Sequence, residues 1–246
     1  MKPVVAIICI LAATAGALGT DTNSINIRSV AGDYYFGDGT GVNCTLKLSS
    51  SGKFEFQWSG CLGIYDRNDG DFSIENEVLT IAAKKPNIRK GFRGTPTVFF
   101  VISWGSRMYL VATNEIVEFC SAVNQRNEPR RGAWGDYYMR QGDWEKVAAG
   151  RAVVPEHWTE YLLDNPVRGK ITKLVNKHEA WLDQGAEQGL LPGMILTAQT
   201  YGKLMFSQVR VESVEKTRCL IKCQWEENRL AVSQVVSSLF YEESTH

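Results

Sequence analysis

The feature that most restricts the fold is a succession of short segments in which apolar and polar residues alternate. Residues 44–48 (CTLKL) and 53–58 (KFEFQW) show this pattern most clearly, and the turn sequence SSSG joins them. Alternation with a period of two predicts strands that bury one face, and a short glycine-containing turn predicts that two such strands pair as a hairpin. The buried face of this hairpin is predicted to carry Cys44, Leu46, Leu48, Phe54, Phe56 and Trp58.

Similar segments continue through the first part of the chain. The further predicted strands cover residues 71–74, 78–82, 97–104, 107–112, 116–120 and 133–139. Short strands in this number and at this spacing indicate an antiparallel barrel or sandwich. We therefore expect an N-terminal antiparallel β domain over residues 27–150.

A helical pattern then interrupts the strands. Residues 153–166 (VVPEHWTEYLLDNP) place Pro155 in a first helical turn, and Pro166 prevents continuation of the helix. After it, about 75 residues carry six short strand patterns, which is typical of a small independent β-barrel. The predicted protein is mainly β, with a helical linker at residues 151–166 and a C-terminal barrel at residues 167–241.

The N-terminus has the layout of a cleavable export signal. Lys2 precedes an apolar run over residues 4–17, and small residues follow. We expect residues 1–19 to be removed and the product to be secreted or periplasmic. The run is shorter than the ~20 residues that a membrane-spanning helix needs, so no membrane span is expected.

Charge is balanced along the chain. Lysine plus arginine number 27, as do aspartate plus glutamate, and neither sign forms a long block. A surface for nucleic acid is therefore not expected.

Five cysteines remain after the signal, and an odd number cannot all pair within one chain. They are Cys44, Cys61, Cys120, Cys219 and Cys223. Export favours pairing, and Cys44 and Cys61 are the preferred disulfide because they belong to neighbouring strands; the alternative partner of Cys61 is Cys120. Cys219 and Cys223 lie four residues apart on one predicted strand, about 13 Å, which is too far for a bond. We expect both to be buried on one face.

Motifs that would carry chemistry are incomplete. The glycine-rich residues 37–41 precede a strand and lack a following Lys-Ser or Lys-Thr, so we interpret them as a corner between strands. Residues 66–71 (DRNDGD) lack EF-hand register, which leaves a polar turn or an irregular calcium site. His178 and Glu179 form half of a zinc motif without its second histidine. We expect no cofactor, no metal and no enzymatic activity.

Many aromatic residues remain to be explained. Tyr35, Trp58 and Trp104 could line a cavity for a small apolar ligand inside the N-terminal barrel, or they could fill a core. Both alternatives stay open at the sequence level.

Three stretches resemble known groups of proteins. Gly32, Asp33 and Tyr34, a second Gly-Asp-Tyr-Tyr at residues 135–138, and Arg140 together resemble the lipocalin arrangement. That resemblance implies that the opening strand meets the last barrel strand and that Arg140 stacks on Tyr34. Residues 37–43, the turn at 60–63 and a later stretch around 119–129 resemble uncharacterised exported bacterial proteins, which implies no activity.

The third stretch, residues 185–194 (GAEQGLLPGM), is similar to a turn of small β-barrel modules in bacterial envelope and assembly proteins. The resemblance implies a module that mediates contacts between proteins. The sequence thus favours a non-catalytic exported binding or structural protein of the cell envelope or extracellular space, with an unknown protein partner. A lipocalin-like carrier of a small apolar ligand is the first alternative, and a hydrolase with an unrecognised site is the second.

Overall fold

A computed structural model describes most of the chain after the predicted signal. The described residues are 25–39, 41–85, 95–126, 137–199, 206–225 and 227–240. The predicted export signal and the first half of the second Gly-Asp-Tyr-Tyr lie outside them. Within them the protein is mainly β and forms two closed antiparallel barrels, which confirms the predicted fold class and decides between barrel and sandwich.

The first barrel is an eight-stranded meander. Its strands are β1 (Gly32–Gly37), β2 (Asn43–Leu48), β3 (Lys53–Gly60), β4 (Gly63–Glu75), β5 (Val78–Ala83), β6 (Val98–Trp104), β7 (Arg107–Ala112) and β8 (Tyr137–Arg140). Each strand pairs with the next, and β8 pairs with β1. Among the described residues, the β1–β2 ladder has six residue pairs, whereas the closing β1–β8 ladder has two, Tyr34 with Arg140 and Tyr35 with Met139.

Side chains fill the interior of this barrel. Because neighbouring residues of a strand point to opposite faces, every second residue contributes to one apolar cluster. Its largest buried members are Tyr34, Leu46, Leu48, Phe54, Phe56, Phe72, Leu79, Phe99, Leu110 and Tyr138. The Tyr138 ring contacts the rings of Phe36 and Phe99, with centroids 5.9 and 5.8 Å away. A short helix, α1 (Ile27–Val30), adds buried Val30 to the same cluster.

A second helix, α2 (Ile116–Asn124), lies where the sequence predicted a strand over residues 116–120. That prediction was wrong. Ile116, Phe119 and Cys120 are buried on one face of α2, which is helical spacing, and a short apolar run fits either period. This face packs on the outside of the barrel, with Phe119 against the ring of Tyr109.

The linker is a 3₁₀ helix over Glu156–Tyr161 rather than a helix over residues 153–166. Its position depends on tertiary contacts. The Arg151 guanidinium donates to the carbonyl oxygens of Thr159 and Leu162, both at 2.8 Å. The Trp104 indole N–H, on β6, donates to the carbonyl of Gly150 at 2.8 Å. These bonds hold the linker against the first barrel.

The second barrel has six strands, as predicted. They are β9 (Arg168–Leu174), β10 (Glu179–Leu182), β11 (Ile195–Gln199), β12 (Phe206–Val214), β13 (Cys219–Cys223) and β14 (Val235–Ser237). Around the barrel their order is β10, β13, β12, β11, β14, β9. Cys219, Ile221 and Cys223 are buried on one face of β13, which confirms that prediction.

The two barrels meet where α2 lies beside β11. Ser121 accepts a hydrogen bond from the Ile195 N–H at 3.0 Å, and the Gln125 amide donates to the Ile195 carbonyl at 3.3 Å. Beside them, Arg210 donates to the Glu118 carboxylate at 2.8 Å. Ser121 and Gln125 are buried, so this interface is polar and closely fitted.

The predicted Cys44–Cys61 disulfide is absent, and no disulfide joins the cysteines of the described ranges. Cys44 is buried in β2 opposite Trp58, three residues before Cys61. Cys61 lies in the exposed turn between β3 and β4. Three strand residues span about 10 Å, and the β3 kink does not bring the two thiols together.

Two loop interpretations have different outcomes. The glycine-rich corner is confirmed: β1 ends at Gly37, and Asp38 accepts hydrogen bonds from the N–H groups of Gly41 and Val42. The stretch at residues 66–71, in contrast, is neither a turn nor a calcium loop, because it lies inside β4. Asp71 instead forms an ion pair with Lys53 on the neighbouring strand β3.

Candidate functional site

The three aromatic residues proposed to line a ligand cavity do not come together. Tyr35 lies between Tyr34 and Phe36, which belong to the interior cluster, so its side chain is on the outer face of β1. Its hydroxyl donates to the side-chain oxygen of Asn43. Trp104 belongs to a separate cluster outside the barrel.

Trp58 faces inward, at the end of β3. Its ring packs edge-on against Tyr65, with centroids 5.7 Å apart, and it borders the interior cluster. Trp58 alone of the three faces the interior, which aromatic and aliphatic side chains occupy, so the structure does not bring Tyr35, Trp58 and Trp104 together. A ligand site at these residues stays a prediction. Core filling accounts for Trp58 and Trp104.

The residues assigned by the lipocalin resemblance lie at the opposite end of the barrel, near α1. Tyr34 and Arg140 are direct partners across β1 and β8, and their side chains therefore share a face. The Tyr34 hydroxyl donates to the Val30 carbonyl at 2.8 Å. Burial is the main reason why the pKa of Tyr34 is raised, and the nearby Arg140 charge offsets this only in part. Stacking of Arg140 on the ring stays a prediction.

Asp143 organises the charges at this end. The carboxylate is buried, with 1% of the residue exposed. It accepts a hydrogen bond from the Met108 N–H at 2.8 Å and forms ion pairs with Arg140 at 3.3 Å and Lys146 at 2.6 Å. Arg107, also buried, donates to the Lys146 carbonyl at 2.6 Å. Met108 lies on β7 and Arg140 on β8, so these bonds tie the segment after β8 to both strands at this end of the barrel.

A groove of about 680 Å³ lies on the outer face of β1 to β4, and Tyr34, Leu46 and Phe56 contribute apolar surface to its lining. We call it the outer groove. The polar and charged residues that line it are Asp33, Thr45, Lys47, Glu55, Gln57, Arg67, Asn68, Asp69, Lys85 and Gln141. Most occupy outward positions that the register aligns in two rows across the strands.

Hydrogen bonds fix the walls of the outer groove. Arg67 donates through Nε to the side-chain oxygen of Gln57 at 3.2 Å. Buried Asn68 donates to the Lys85 carbonyl at 2.7 Å and so holds that residue beside β4. On the opposite wall, the Gln141 N–H donates to the Asp33 carbonyl at 2.7 Å.

The acidic groups of the outer groove lie beside basic ones. Asp69 accepts a hydrogen bond from Lys84, which is the main reason why the pKa of Asp69 is lowered. Asp33, Lys47 and Glu55 alternate in sign on three adjacent strands. The lowered pKa keeps the Asp69 carboxylate ionised at neutral pH, where it serves as a hydrogen-bond acceptor.

The sequence pattern did not single out this groove. Outward polar positions on the 44–48 and 53–58 hairpin were predictable, including Thr45 and Gln57. The pairing of that hairpin with β4 was not predictable, because β4 begins at Gly63 whereas the strand predicted there began at residue 71.

The described residues contain no group of three or more His, Cys, Asp or Glu side chains that could hold a metal ion. In the same part of the chain, no helix has the length and apolar character to cross a membrane.

The fold defines a mainly β protein built from an eight-stranded and a six-stranded closed barrel. No protein-family model, curated protein or solved structure matches the chain.

Proposed function

We propose that the chain is an exported, non-catalytic binding protein, and that the outer groove recognises a neutral, hydroxyl-rich ligand such as a glycan. The observation that carries the proposal is the outer groove, which lies across four paired strands of the first barrel. Its volume, about 680 Å³, lies within the ~300–1,000 Å³ typical of ligand sites. The export signal in the sequence supports an extracytoplasmic role.

The charges of the outer groove favour a neutral ligand. Three acidic residues (Asp33, Glu55, Asp69) and three basic residues (Lys47, Arg67, Lys85) line it, so their formal charges sum to zero. This balance of charges gives neither an anionic nor a cationic ligand a net electrostatic attraction. A polyol is favoured instead, because each hydroxyl both donates and accepts a hydrogen bond and can bridge neighbouring groups of opposite sign.

The neutral side chains support the same conclusion. Thr45, Gln57 and Gln141 each carry donor and acceptor capacity. The lowered pKa of Asp69 makes its carboxylate a fixed acceptor rather than a proton donor near neutral pH, since general acids need a pKa near the working pH. Asp69 is thus suited to accept hydrogen bonds from ligand hydroxyl groups.

Isothermal titration of the mature protein with a panel of soluble neutral oligosaccharides tests the proposal. We expect saturable binding that the double substitution Gln57→Ala/Arg67→Ala weakens by more than about tenfold, because two hydrogen-bonding groups are lost. Lys53→Ala is the matched control, as Lys53 is an exposed cation on β3 outside the groove. Binding to no member of the panel, or an equal loss in the control, would refute a glycan site. Hydrolysis of a bound oligosaccharide would refute the non-catalytic assignment.

A further inference from the structure

We infer that the free end of the second barrel docks on an anionic lipid surface, a role independent of the outer groove. The barrel contacts the first barrel through its other end, where Gly193 lies close to Val117 of α2. The free end carries the turn between β9 and β10 and the segment that follows β13. The exposed apolar side chains there, which we call the distal apolar residues, are Leu174, Val175, Trp225 and Val232.

Hydrogen bonds join these two turns into one surface. The Cys223 N–H donates to the His178 carbonyl at 2.9 Å, and the Leu230 N–H donates to the Lys177 carbonyl at 3.1 Å. A ring nitrogen of His178 also lies 2.9 Å from the Asn228 carbonyl. The turn that begins at Trp225 is therefore held against residues 175–178.

The turn of Val232 extends the same surface. The Ser233 N–H donates to the Ile171 carbonyl at 2.8 Å, and the Ile171 N–H donates to the Gln234 carbonyl at 3.0 Å. These bonds place the turn that contains Val232 alongside Ile171 of β9, the strand that ends at Leu174. Val175 and Val232 are 52% and 56% exposed, so both project into solvent from turns that the barrel holds in place.

The charges around the distal apolar residues are predominantly basic. Lys173, Lys177 and Arg229 are exposed at this end, and the exposed acidic residue beside them is Glu227. Lys222 and Glu179 form an ion pair at 3.3 Å, so their charges cancel. The described residues thus leave a net charge of +2 (three cations less one anion); residues 200–205 and 226 lie outside the described ranges and are not counted.

This combination fits the headgroup region of an anionic bilayer. Apolar and aromatic side chains at turn tips can insert between headgroups, while lysines beside them keep their ammonium groups at the anionic surface. A protein partner would instead favour a contiguous apolar patch with few lysines. Here the apolar side chains are interspersed with basic ones, so the partner that fits this end of the barrel is an anionic lipid surface.

Vesicle flotation of the full mature chain tests the inference. The protein should float with vesicles of phosphatidylcholine that contain phosphatidylglycerol, and it should not float with vesicles of phosphatidylcholine alone. Added salt should weaken the binding because it screens the lysines. Lys173→Ala and Lys177→Ala should each reduce the partition coefficient about fivefold, since one basic residue near an anionic surface is lost in each. Val175→Asp should reduce it at least tenfold.

The first barrel supplies matched controls. Trp144 and Trp225 are both 46% exposed, and Val147 is an exposed counterpart of Val175. Trp225→Ala and Val175→Asp should weaken binding, whereas Trp144→Ala and Val147→Asp should not; circular dichroism confirms that each variant is folded. The inference would be overturned by equal effects in both barrels, by binding to neutral vesicles, or by no binding to vesicles of either composition. It would also be overturned by a sedimenting dimer that Val175→Asp dissociates, because a second copy would then occupy this surface.

Discussion

Replacing Asp143 should show how much more a buried carboxylate contributes to the free energy of unfolding than an exposed one. The substitution Asp143→Ala removes the acceptor of the Met108 N–H and the partner of both Arg140 and Lys146. A buried N–H left without an acceptor costs about 1–3 kcal/mol. Breaking a buried ion pair costs about 3–5 kcal/mol, but the side chains of Arg140 and Lys146 are 29% and 43% exposed and can regain water. We therefore expect the free energy of unfolding to fall by about 3 kcal/mol.

Urea denaturation followed by tryptophan fluorescence measures this loss as a lower midpoint at an unchanged m-value. Asp143→Asn should lose less, because the amide oxygen still accepts from the Met108 N–H. Asp71→Ala is the exposed control: its pair with Lys53 is more than 60% exposed on both sides and should contribute less than about 1 kcal/mol. If Asp143→Ala were no more destabilising than Asp71→Ala, the buried carboxylate would not hold the barrel end as argued.

Two further predictions concern a glycine and the thiols. Gly37→Ala should destabilise by more than about 2 kcal/mol, because the new Cβ would lie 2.0 Å from the Val42 carbonyl oxygen; Gly39→Ala, with a positive φ but open space, should cost only about 1 kcal/mol in the same urea assay. In native protein at pH 8, Cys61 should react first with a thiol reagent, because burial raises the pKa of Cys120 and Cys219 to about 12. The folded state then binds more protons than the unfolded state above pH 9, so the free energy of unfolding should fall between about pH 9 and 12, by up to about 1.4 kcal/mol per pH unit for each thiol. Denatured, unreduced protein without the predicted signal should show five reactive thiols. A count of three would instead indicate that the predicted disulfide is present.

Alternation predicted much of the first barrel. It identified the hairpin of β2 and β3, whose register pairs Cys44 with Trp58; a short turn fixes such a register locally. Closure of the meander depends on contacts between β1 and β8, which lie more than 100 residues apart. Alternation does not encode such a contact; the lipocalin resemblance of the two Gly-Asp-Tyr stretches implied it. The same limit explains the missed outer groove, since its walls come from separate strands.

The placement of Trp104 was not predictable because both faces of its strand, β6, are buried. In β6, Phe99 and Val101 point into the barrel while Ile102 and Trp104 pack outside it, so the aromatic content of the strand gave no indication of which side faced a cavity. Helix α2 was taken for a strand for a different reason: its apolar run was short, and a short run fits either period. Periodicity distinguishes elements only when one face is exposed.

The two-pair ladder between β1 and β8 has a consequence for how the molecule opens. Local unfolding begins where few backbone hydrogen bonds must break, and this ladder is short beside the six pairs that join β1 to β2. Amide protons of β8 should therefore exchange with solvent before those of β2. An opened barrel also presents two unpaired strand edges, which are templates for pairing with another chain. At high concentration, β1 of one molecule can then close on β8 of another, and the protein would dimerise by exchanging strands without any new interface.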